Sequence, residues 1–272
     1  MHEMPITISR SVAKYRDSVF TLEDDEIVAE YPLTIFVNDQ EFATVVCTPA
    51  DLEELTIGFL ASEGVIRSAA EVKQIAIDTA KGFAYVDLHQ AFKLQQSFFT
   101  KRRITSCCGK SRQSFYFYSD ARAAKPVDSQ VSVSVEQCFH LMDTLQQSSL
   151  IHRQTGGVHN AALCSGQEML VSYSDIGRHN ALDKIYGYCL REGVETSDKL
   201  LVFSGRISSE VLLKAAKIGA AILLSKSAPT DLALQMAEEL GITAVGFIRG
   251  GKLNVYTRPE RITAGTLPGK AQ

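Results

Sequence analysis

The second half of the chain shows a regular alternation of short β-prone segments and longer helical ones. After residue 152, brief apolar runs rich in β-branched residues alternate with stretches whose apolar side chains recur at helical spacing. The predicted strands are residues 169–173, 200–203, 221–224 and 243–247, and the predicted helices are residues 180–190, 208–218 and 231–240. This alternation predicts an α/β fold in which helices cover a largely parallel or mixed sheet.

The first half is richer in β-prone segments. The predicted strands there are residues 33–37, 41–47, 73–77 and 83–88, and the first two predict a hairpin. A helix is predicted to begin with Thr48 as N-cap and to stop at Gly64, and another begins after Ser134. We therefore expect three parts, namely a loosely ordered N-terminus at residues 1–25, a small β-rich domain at residues 26–130 and an α/β domain at residues 131–272.

Composition and charge narrow the class of protein. Of the 272 residues, 45% are hydrophobic, which is enough to bury one large core or two smaller ones. The formal net charge of -3 argues against an electrostatic binder of nucleic acid. No apolar run approaches the roughly 20 residues of a membrane-spanning helix, and no secretion signal is evident at the N-terminus. We expect a cytoplasmic protein without nucleic-acid or membrane partners.

Two adjacent cysteines, Cys107 and Cys108, lie in a segment without a clear period, residues 89–114. Such long irregular segments are usually functional or disordered. Lysines and arginines flank the pair, and nearby cations lower a thiol pKa and favour the nucleophilic thiolate. The pair is interpreted either as exposed nucleophilic thiols or as ordinary cysteines of a surface loop, and no metal site is expected because a second pair at zinc-ligand spacing is missing. Four further cysteines lie in apolar surroundings and are expected to be buried: Cys47, Cys138, Cys164 and Cys189.

Two predicted strand-to-helix turns combine glycine, arginine and polar side chains. They are Gly177, Arg178 and His179 after one strand, and Ser204, Gly205 and Arg206 after the next. Helix N-termini and arginine side chains bind phosphate, and turns that follow neighbouring parallel strands converge on one edge of a sheet. With a third turn at residues 225–230, they predict a site for a phosphate-rich ligand. For the first turn, helix capping is an equally good interpretation.

A glycine pair between two cations follows the last predicted helix and strand. The segment comprises Phe247, Ile248, Arg249, Gly250, Gly251 and Lys252. It is interpreted as a nest of backbone amides for an anion or, equally well, as a plain hairpin turn. Another glycine pair precedes His159, and a single histidine of this kind is more often structural than catalytic.

Five short segments form a series along the chain. They are EYPL at 30–33, GFLASEG at 58–64, GGVH at 156–159, DIGRHNALDK at 175–184 and SGR at 204–206. In this order they resemble the formate dehydrogenase accessory sulfurtransferase family, FdhD, over nearly the whole chain. The resemblance implies a small β-rich N-terminal domain, a three-layer α/β domain similar to cytidine deaminases, and a homodimer.

The resemblance also implies an activity. Members take persulfide sulfur from a cysteine desulfurase and deliver it to Mo-bis(molybdopterin guanine dinucleotide), which then enters formate dehydrogenase. Cys107 and Cys108 would carry the sulfur, while the glycine turns and residues 247–252 would hold the guanine ends, for which a guanine nucleotide is a mimic. Many members have Cys-X-X-Cys in this loop, so the adjacent pair leaves open which cysteine carries the persulfide. The Thr-Ser context favours Cys107.

Two other functions fit parts of the pattern. A zinc nucleoside deaminase requires His-X-Glu and Pro-Cys-X-X-Cys, but His159 is followed by Asn160 and Ala161, and the sequence contains no Cys-X-X-Cys. A cofactor-binding chaperone that moves no sulfur is the second alternative, and the altered cysteine spacing keeps it open.

Overall fold

A computed structural model of the protein describes residues 4–90, 103–104, 126–166 and 168–264. The strands, in chain order, are β1 Thr7–Arg16, β2 Val19–Val28, β3 Tyr31–Val37, β4 Gln40–Cys47, β5 Val72–Asp78, β6 Phe83–Leu88, β7 Arg103–Ile104, β8 Val133–Ser134, β9 His159–Ser165, β10 Glu168–Asp175, β11 Leu200–Phe203, β12 Ile222–Ser225, β13 Thr243–Arg249, β14 Lys252–Val255 and β15 Ile262–Thr263. The α-helices are α1 Leu52–Ser62, α2 Val135–Ser148, α3 Leu150–Thr155, α4 Arg178–Arg191, α5 Ser209–Ile218 and α6 Asp231–Leu240. None of these helices is long and apolar enough to cross a membrane.

The N-terminus forms an antiparallel hairpin of two ten-residue strands, β1 and β2. Asp17 and Ser18 make the turn with φ values of 49° and 65°, which suits a two-residue turn that follows the strand twist. The expectation that residues 1–25 are loosely ordered is therefore wrong for residues 7–25. The pattern was misleading because neither strand carries a continuous buried face, so the usual alternation of apolar and polar side chains is weak.

An N-terminal lobe is built on a five-stranded sheet in the order β5-β6-β3-β4-β7, with α1 packed on it. The predicted β3–β4 hairpin is confirmed. Helix α1 begins later than predicted, at Leu52, and its N-cap is Asp51 with φ 51°. Thr48 does not cap the helix, because its hydroxyl and its backbone amide bond to Asp175 in the other lobe.

The C-terminal lobe is built on a six-stranded sheet in the order β10-β9-β11-β12-β13-β14. Strands β11, β12 and β13 are parallel, whereas β9 and β14 run antiparallel to their neighbours, so the predicted mixed sheet is confirmed. Leu201 and Phe203 pack with helices α4, α5 and α6 on one face, and Leu200 and Val202 pack with α2 on the other. The similarity to cytidine deaminases and the domain boundary at residue 130 stay predictions.

The two lobes meet where helix α1 crosses helix α4. A methyl group added to Gly58 would overlap the backbone carbonyl of Asp183, and one added to Gly187 would overlap that of Glu54. Only glycine allows two helix backbones to approach this closely. We call this crossing, together with the charged groups buried beside it, the lobe seam.

Candidate functional site

The three predicted turns lie at one edge of the six-stranded sheet. Strand β10 is antiparallel to β9, and β9 is antiparallel to β11, so the carboxyl ends of β10, β11, β12 and β13 point the same way. The turns at Gly177, Gly205 and Lys226 follow the first three of these strands. The sequence-based expectation that they share an edge is therefore confirmed.

At the first turn, an internal carboxylate occupies the start of helix α4. Asp175 Oδ1 accepts a hydrogen bond of 2.8 Å from the backbone N–H of Gly177, which is the N-cap, and another of 2.8 Å from Asn180 Nδ2. A carboxylate at this position satisfies amides that helices leave free and interacts favourably with the helix dipole. Helix capping therefore accounts for the presence of Asp175 and Gly177 at this turn. Only the side chains that follow them remain to contribute to an anion site.

Asp175 is also one half of a buried ion pair that joins the lobes. Asp175 and Lys184 are both fully buried, and Lys184 Nζ lies 3.0 Å from Asp175 Oδ2. The ammonium donates two further bonds of 3.1 Å, to Thr48 Oγ1 and to the carbonyl of Ser174. Thr48 in turn donates to Asp175 through its amide at 3.1 Å and its hydroxyl at 2.9 Å. All three ammonium protons have acceptors, as a buried charge requires.

A second buried carboxylate lies further along the lobe seam. Asp183 accepts a hydrogen bond of 2.6 Å from the Ser62 hydroxyl and is ion-paired with Lys214. Burial raises the pKa of Asp183, and the nearby ammonium of Lys214 opposes that rise. Much of the DIGRHNALDK segment thus holds the lobes together, a role that the sequence did not reveal.

The side chains of Arg178 and His179 follow the cap. Arg178 Nε is buried and has no hydrogen-bond partner among the described residues. His179 Nε2 lies 3.1 Å from Glu210 Oε2 at the start of α5. His159, at the start of β9, lies in the same area, and burial followed by the charge of Arg178 lowers its pKa. This places a neutral imidazole beside a guanidinium, an arrangement that sequence reasoning missed because it took His159 as a lone structural histidine.

The second turn is tied to strand β9 by two hydrogen bonds, one of which is accepted by a side chain. Ser204 N–H donates to the Asn160 carbonyl at 3.0 Å, and Asn160 N–H donates to Ser204 Oγ at 2.9 Å. A side chain on Gly205 would come within 2.9 Å of the Phe203 ring and 3.4 Å of His159 Nδ1, so glycine is required there by packing. Arg206 follows with an exposed side chain.

The third turn faces a different helix. Lys226 Nζ donates to Gln146 Oε1 of α2 at 2.6 Å, so its charge is directed to the α2 side of the sheet. Ser225 Oγ donates to the Gly205 carbonyl at 2.7 Å, which ties the third turn to the second. Phe247 N–H donates to the Ser227 carbonyl at 3.2 Å, which brings the last predicted segment alongside.

Residues 247–252 form the hairpin that one of the two interpretations predicted. Arg249 pairs with Lys252 across the β13–β14 turn, and Gly250 and Gly251 take φ values of 57° and 70°. Phe247 has φ 55°, and the Arg249 guanidinium lies 5.5 Å from the centre of its ring. Arg249 and Lys252 are exposed, and Ile248 is buried in the core. The hairpin therefore presents two cations beside the third turn.

The six cysteines fall into two groups. Cys107 and Cys108 lie outside the described residues. The other four are buried, as predicted. Burial raises the pKa of Cys138 and of Cys164 to about 12 and that of Cys189 to about 11, and it raises the pKa of Cys47 as well. These four thiols are protonated near neutral pH and shielded from other molecules.

Comparison with known proteins places the chain in a family. The family model described as FdhD/NarQ matches residues 28–263. The chain is 60% identical over 259 residues to a protein named sulfur carrier protein FdhD from Halalkalibacterium halodurans, covering 95% of this chain and 96% of the relative. It is 57% identical over 257 residues to the protein of the same name from Bacillus subtilis, covering 94% and 98%.

A solved structure shows the same fold. The crystal structure of a protein assigned as a formate dehydrogenase accessory protein from Desulfotalea psychrophila matches with a TM-score of 0.78 and 27% sequence identity. The match covers 95% of this chain and 100% of that one. Together with the close relatives and the family model, it shows that this chain belongs to the FdhD/NarQ family.

Proposed function

We propose that this protein is a sulfur carrier that accepts persulfide sulfur from a cysteine desulfurase and transfers it to Mo-bis(molybdopterin guanine dinucleotide) destined for formate dehydrogenase. Relatives with 60% and 57% identity are named sulfur carrier proteins, which supports sulfur carriage. The reaction belongs in the cytoplasm, where reducing conditions keep thiols free.

The observation that carries the proposal is the burial of four of the six cysteines. A sulfur carrier needs a thiolate that another molecule can approach, and these four thiols have raised pKa values and no access. Sulfur chemistry therefore falls to Cys107 and Cys108. One thiolate attacks the outer sulfur of the donor persulfide, the donor's S–S bond breaks, and the donor cysteine leaves as a thiolate.

Release to the cofactor can use the second cysteine. Attack by its thiolate on the inner sulfur of the persulfide forms a disulfide and expels the outer sulfur as hydrosulfide, which becomes the sulfido ligand of molybdenum. A thiol reductant then reopens the disulfide.

The chain enters the cysteine segment close to the lobe seam. Ile104 pairs with Val45, and β7 runs parallel to β4, whose end leads to Thr48 and Asp175. Cys107 follows Ile104 by three residues in the sequence. The pairing of Ile104 with β4 supports sulfur transfer near the lobe seam.

We assign the guanine nucleotide ends of the cofactor to the sheet edge. The proposed contacts are Arg178, His179, Ser204, Gly205 and Arg206, with Phe247, Arg249, Gly250, Gly251 and Lys252. Two residues predicted from the sequence are left out, because the Gly177 amide already donates to Asp175 and Ile248 is buried in the core. The exposed cations Arg206, Arg249 and Lys252 suit phosphates. Arg178 Nε, which has no hydrogen-bond partner in the part of the chain that the structure describes, supplies one more donor.

Titration calorimetry with guanine nucleotides tests this assignment. Arg206→Ala should weaken binding by about tenfold or more, because it removes a charge-assisted phosphate contact. Lys73→Ala, which removes an exposed cation of the N-terminal sheet, should leave the affinity unchanged. Equal affinity for adenine and guanine nucleotides would contradict a guanine-specific site.

The sulfur step is tested by persulfide trapping and mass spectrometry after incubation with a desulfurase and cysteine. A Cys107→Ala/Cys108→Ala double variant should form no persulfide and should leave formate dehydrogenase inactive. Cys107→Ala should be the more damaging single change, and Cys189→Ala serves as the buried-thiol control. If the double variant activated formate dehydrogenase at the parent rate, the chaperone function would replace sulfur transfer.

A further inference from the structure

The first and second turns flank the first residue of β9. Strand β9 lies between β10 and β11 and runs antiparallel to both, so His159 lies between the last residues of these two neighbours. It pairs with Asp175 just before the first turn, and its Nδ1 would lie 3.4 Å from a methyl group added to Gly205 in the second. We call the part of the sheet edge bounded by five residues the interturn region: His159, Arg178, His179, Gly205 and Glu210.

One side of the interturn region offers hydrogen-bond donors. Arg178 Nε is buried and has no hydrogen-bond partner within the residues that the structure describes. Buried donors in proteins are almost always bonded, so a donor of this kind points to an acceptor outside the chain. The half-buried imidazole of His159 lies beside the Arg178 charge and carries a second N–H. This side therefore suits a ligand group that accepts hydrogen bonds.

The other side offers a hydrogen-bond acceptor. Glu210 lies in the first turn of α5, and its carboxylate is partly exposed. Glu210 Oε2 is 3.1 Å from Nε2 of His179, which belongs to α4, so the carboxylate is held at the boundary of the two helices. An ionised carboxylate has about four lone-pair sites, and this one contact leaves room to accept from a ligand.

A carboxylate is out of place in a site for phosphates alone. Glu210 repels a phosphate and offsets part of the charge of Arg206. Stabilisation of a helix start does not explain its contact with His179. Asp231 has the comparable place in the first turn of α6, after the third turn, and it accepts a bond of 2.8 Å from Gln235 of its own helix. Glu210 instead faces a neighbouring helix, at the point where the donors of Arg178 converge.

Donors on one side and a carboxylate on the other complement one kind of ring. A 2-amino-4-oxopyrimidine edge, as in guanine, presents a carbonyl acceptor beside a ring N–H and an amino group, which are both donors. We propose that the interturn region recognises this edge, with Glu210 accepting from the ring N–H and the amino group and Arg178 Nε donating to the carbonyl. Adenine presents a ring-nitrogen lone pair where guanine has the N–H, and Glu210 would repel it.

Two parts of the proposed cofactor carry this edge, namely its guanine bases and its pterin rings. The inference therefore rests on the proposed function and names the chemical group that the sheet edge selects. Arg206, Arg249 and Lys252 are exposed and remain for the phosphates. Ring recognition and phosphate binding would thus be performed by different side chains, which can be altered separately.

Titration calorimetry of the full chain with matched ligand pairs tests the proposal. GDP is compared with IDP, and 6-carboxypterin with 6-carboxylumazine, because the second member of each pair lacks the amino group. For the ring that the region binds, the parent should prefer the amino-bearing member by about tenfold or more. Glu210→Gln places an amide N–H2 against the amino group, so this preference should fall to about one. The lost negative charge strengthens phosphate binding of both members alike and leaves the ratio unaffected.

Two further variants separate ring recognition from general effects of charge. Asp231→Asn removes one negative charge from the same position of the neighbouring helix, and the preference should stay that of the parent. Arg178→Lys keeps the charge but lacks Nε, so it should weaken both members of the pair by about tenfold and leave their ratio unchanged.

The two ligand pairs also identify which ring is bound. Loss of the GDP preference in Glu210→Gln assigns the guanine base, and loss of the pterin preference assigns the pterin. Preferences that Glu210→Gln leaves intact in both pairs, or that Asp231→Asn abolishes equally, would overturn the proposal. If the parent bound none of the four ligands but still formed a persulfide, the cofactor contacts would be wrong together with this inference, whereas sulfur carriage would stand.

Discussion

Replacing Lys184 by methionine should strongly destabilise the protein, although methionine has nearly the same length. The ammonium of Lys184 is fully buried and saturated by Thr48, Ser174 and Asp175, at 3.1, 3.1 and 3.0 Å. Its loss leaves the Asp175 carboxylate buried without a counter-charge. Removing one partner of a buried ion pair costs about 3–5 kcal/mol. For a chain of this size that lowers the Tm by roughly 6–20 °C.

Urea unfolding followed by circular dichroism measures this change, with Lys81→Met as the control. Lys81 forms an ion pair of similar length, 3.0 Å to Asp78, but its side chain is 66% exposed. The control should unfold at the same urea midpoint as the parent, because an exposed ion pair adds little stability. In a double-mutant cycle, the loss of unfolding free energy in the Asp175→Asn/Lys184→Met variant should be about 2 kcal/mol smaller than the sum of the losses in the two single variants. The reason is that no uncompensated charge remains in the double variant. If Lys184→Met unfolded within about 1 kcal/mol of the parent, the ion pair would not hold the lobe seam.

Three further outcomes follow from packing and protonation. Gly187→Ala should lower the free energy of unfolding by about 3 kcal/mol in urea titrations, because the new methyl group overlaps the Glu54 carbonyl and the helices must move apart. His159 has a pKa below its ordinary value of 6.5, so below that pH the unfolded chain binds a proton that the folded chain does not, and the free energy of unfolding falls with acid. His159→Gln should flatten the dependence of that free energy on pH between 6.5 and 5.5 by up to about 1 kcal/mol. In the folded protein, a thiol reagent followed by absorbance should label no more than two of the six cysteines, and all six after denaturation, because four are buried: Cys47, Cys138, Cys164 and Cys189.

Local signals in the sequence predicted the parts of the fold that depend on neighbouring residues. Ser134 precedes α2 and accepts a bond from Gln137 N–H at 3.2 Å, a cap that depends on residues three apart. Strand β9 was missed, because its residues are buried on both faces and so lack the alternation that marks a strand. The location of the three turns at one edge followed from strand order, which a parallel sheet largely dictates.

The roles that depended on long-range contacts could not be predicted in this way. Thr48 has the sequence context of a helix N-cap, but its partner Asp175 is 127 residues away. The same carboxylate caps α4, so a segment that is typical of an anion site proves to be partly structural. A sequence shows which residues can carry chemistry, but which of them are already satisfied by distant partners emerges only from the fold.

The glycine crossing of α1 and α4 also bears on how the chain matures during synthesis. Helix α1 ends at Ser62, whereas α4 is complete only at Arg191, about 130 residues later. At roughly 5–20 residues per second, a ribosome needs about 7–26 s to make that stretch. During this interval the face of α1 around Gly58 lacks the surface on which it packs. The N-terminal sheet, which packs on α1, likewise lacks the C-terminal lobe. The nascent chain therefore passes through a period in which chaperones can bind it, and a pause in translation before residue 191 would prolong that period.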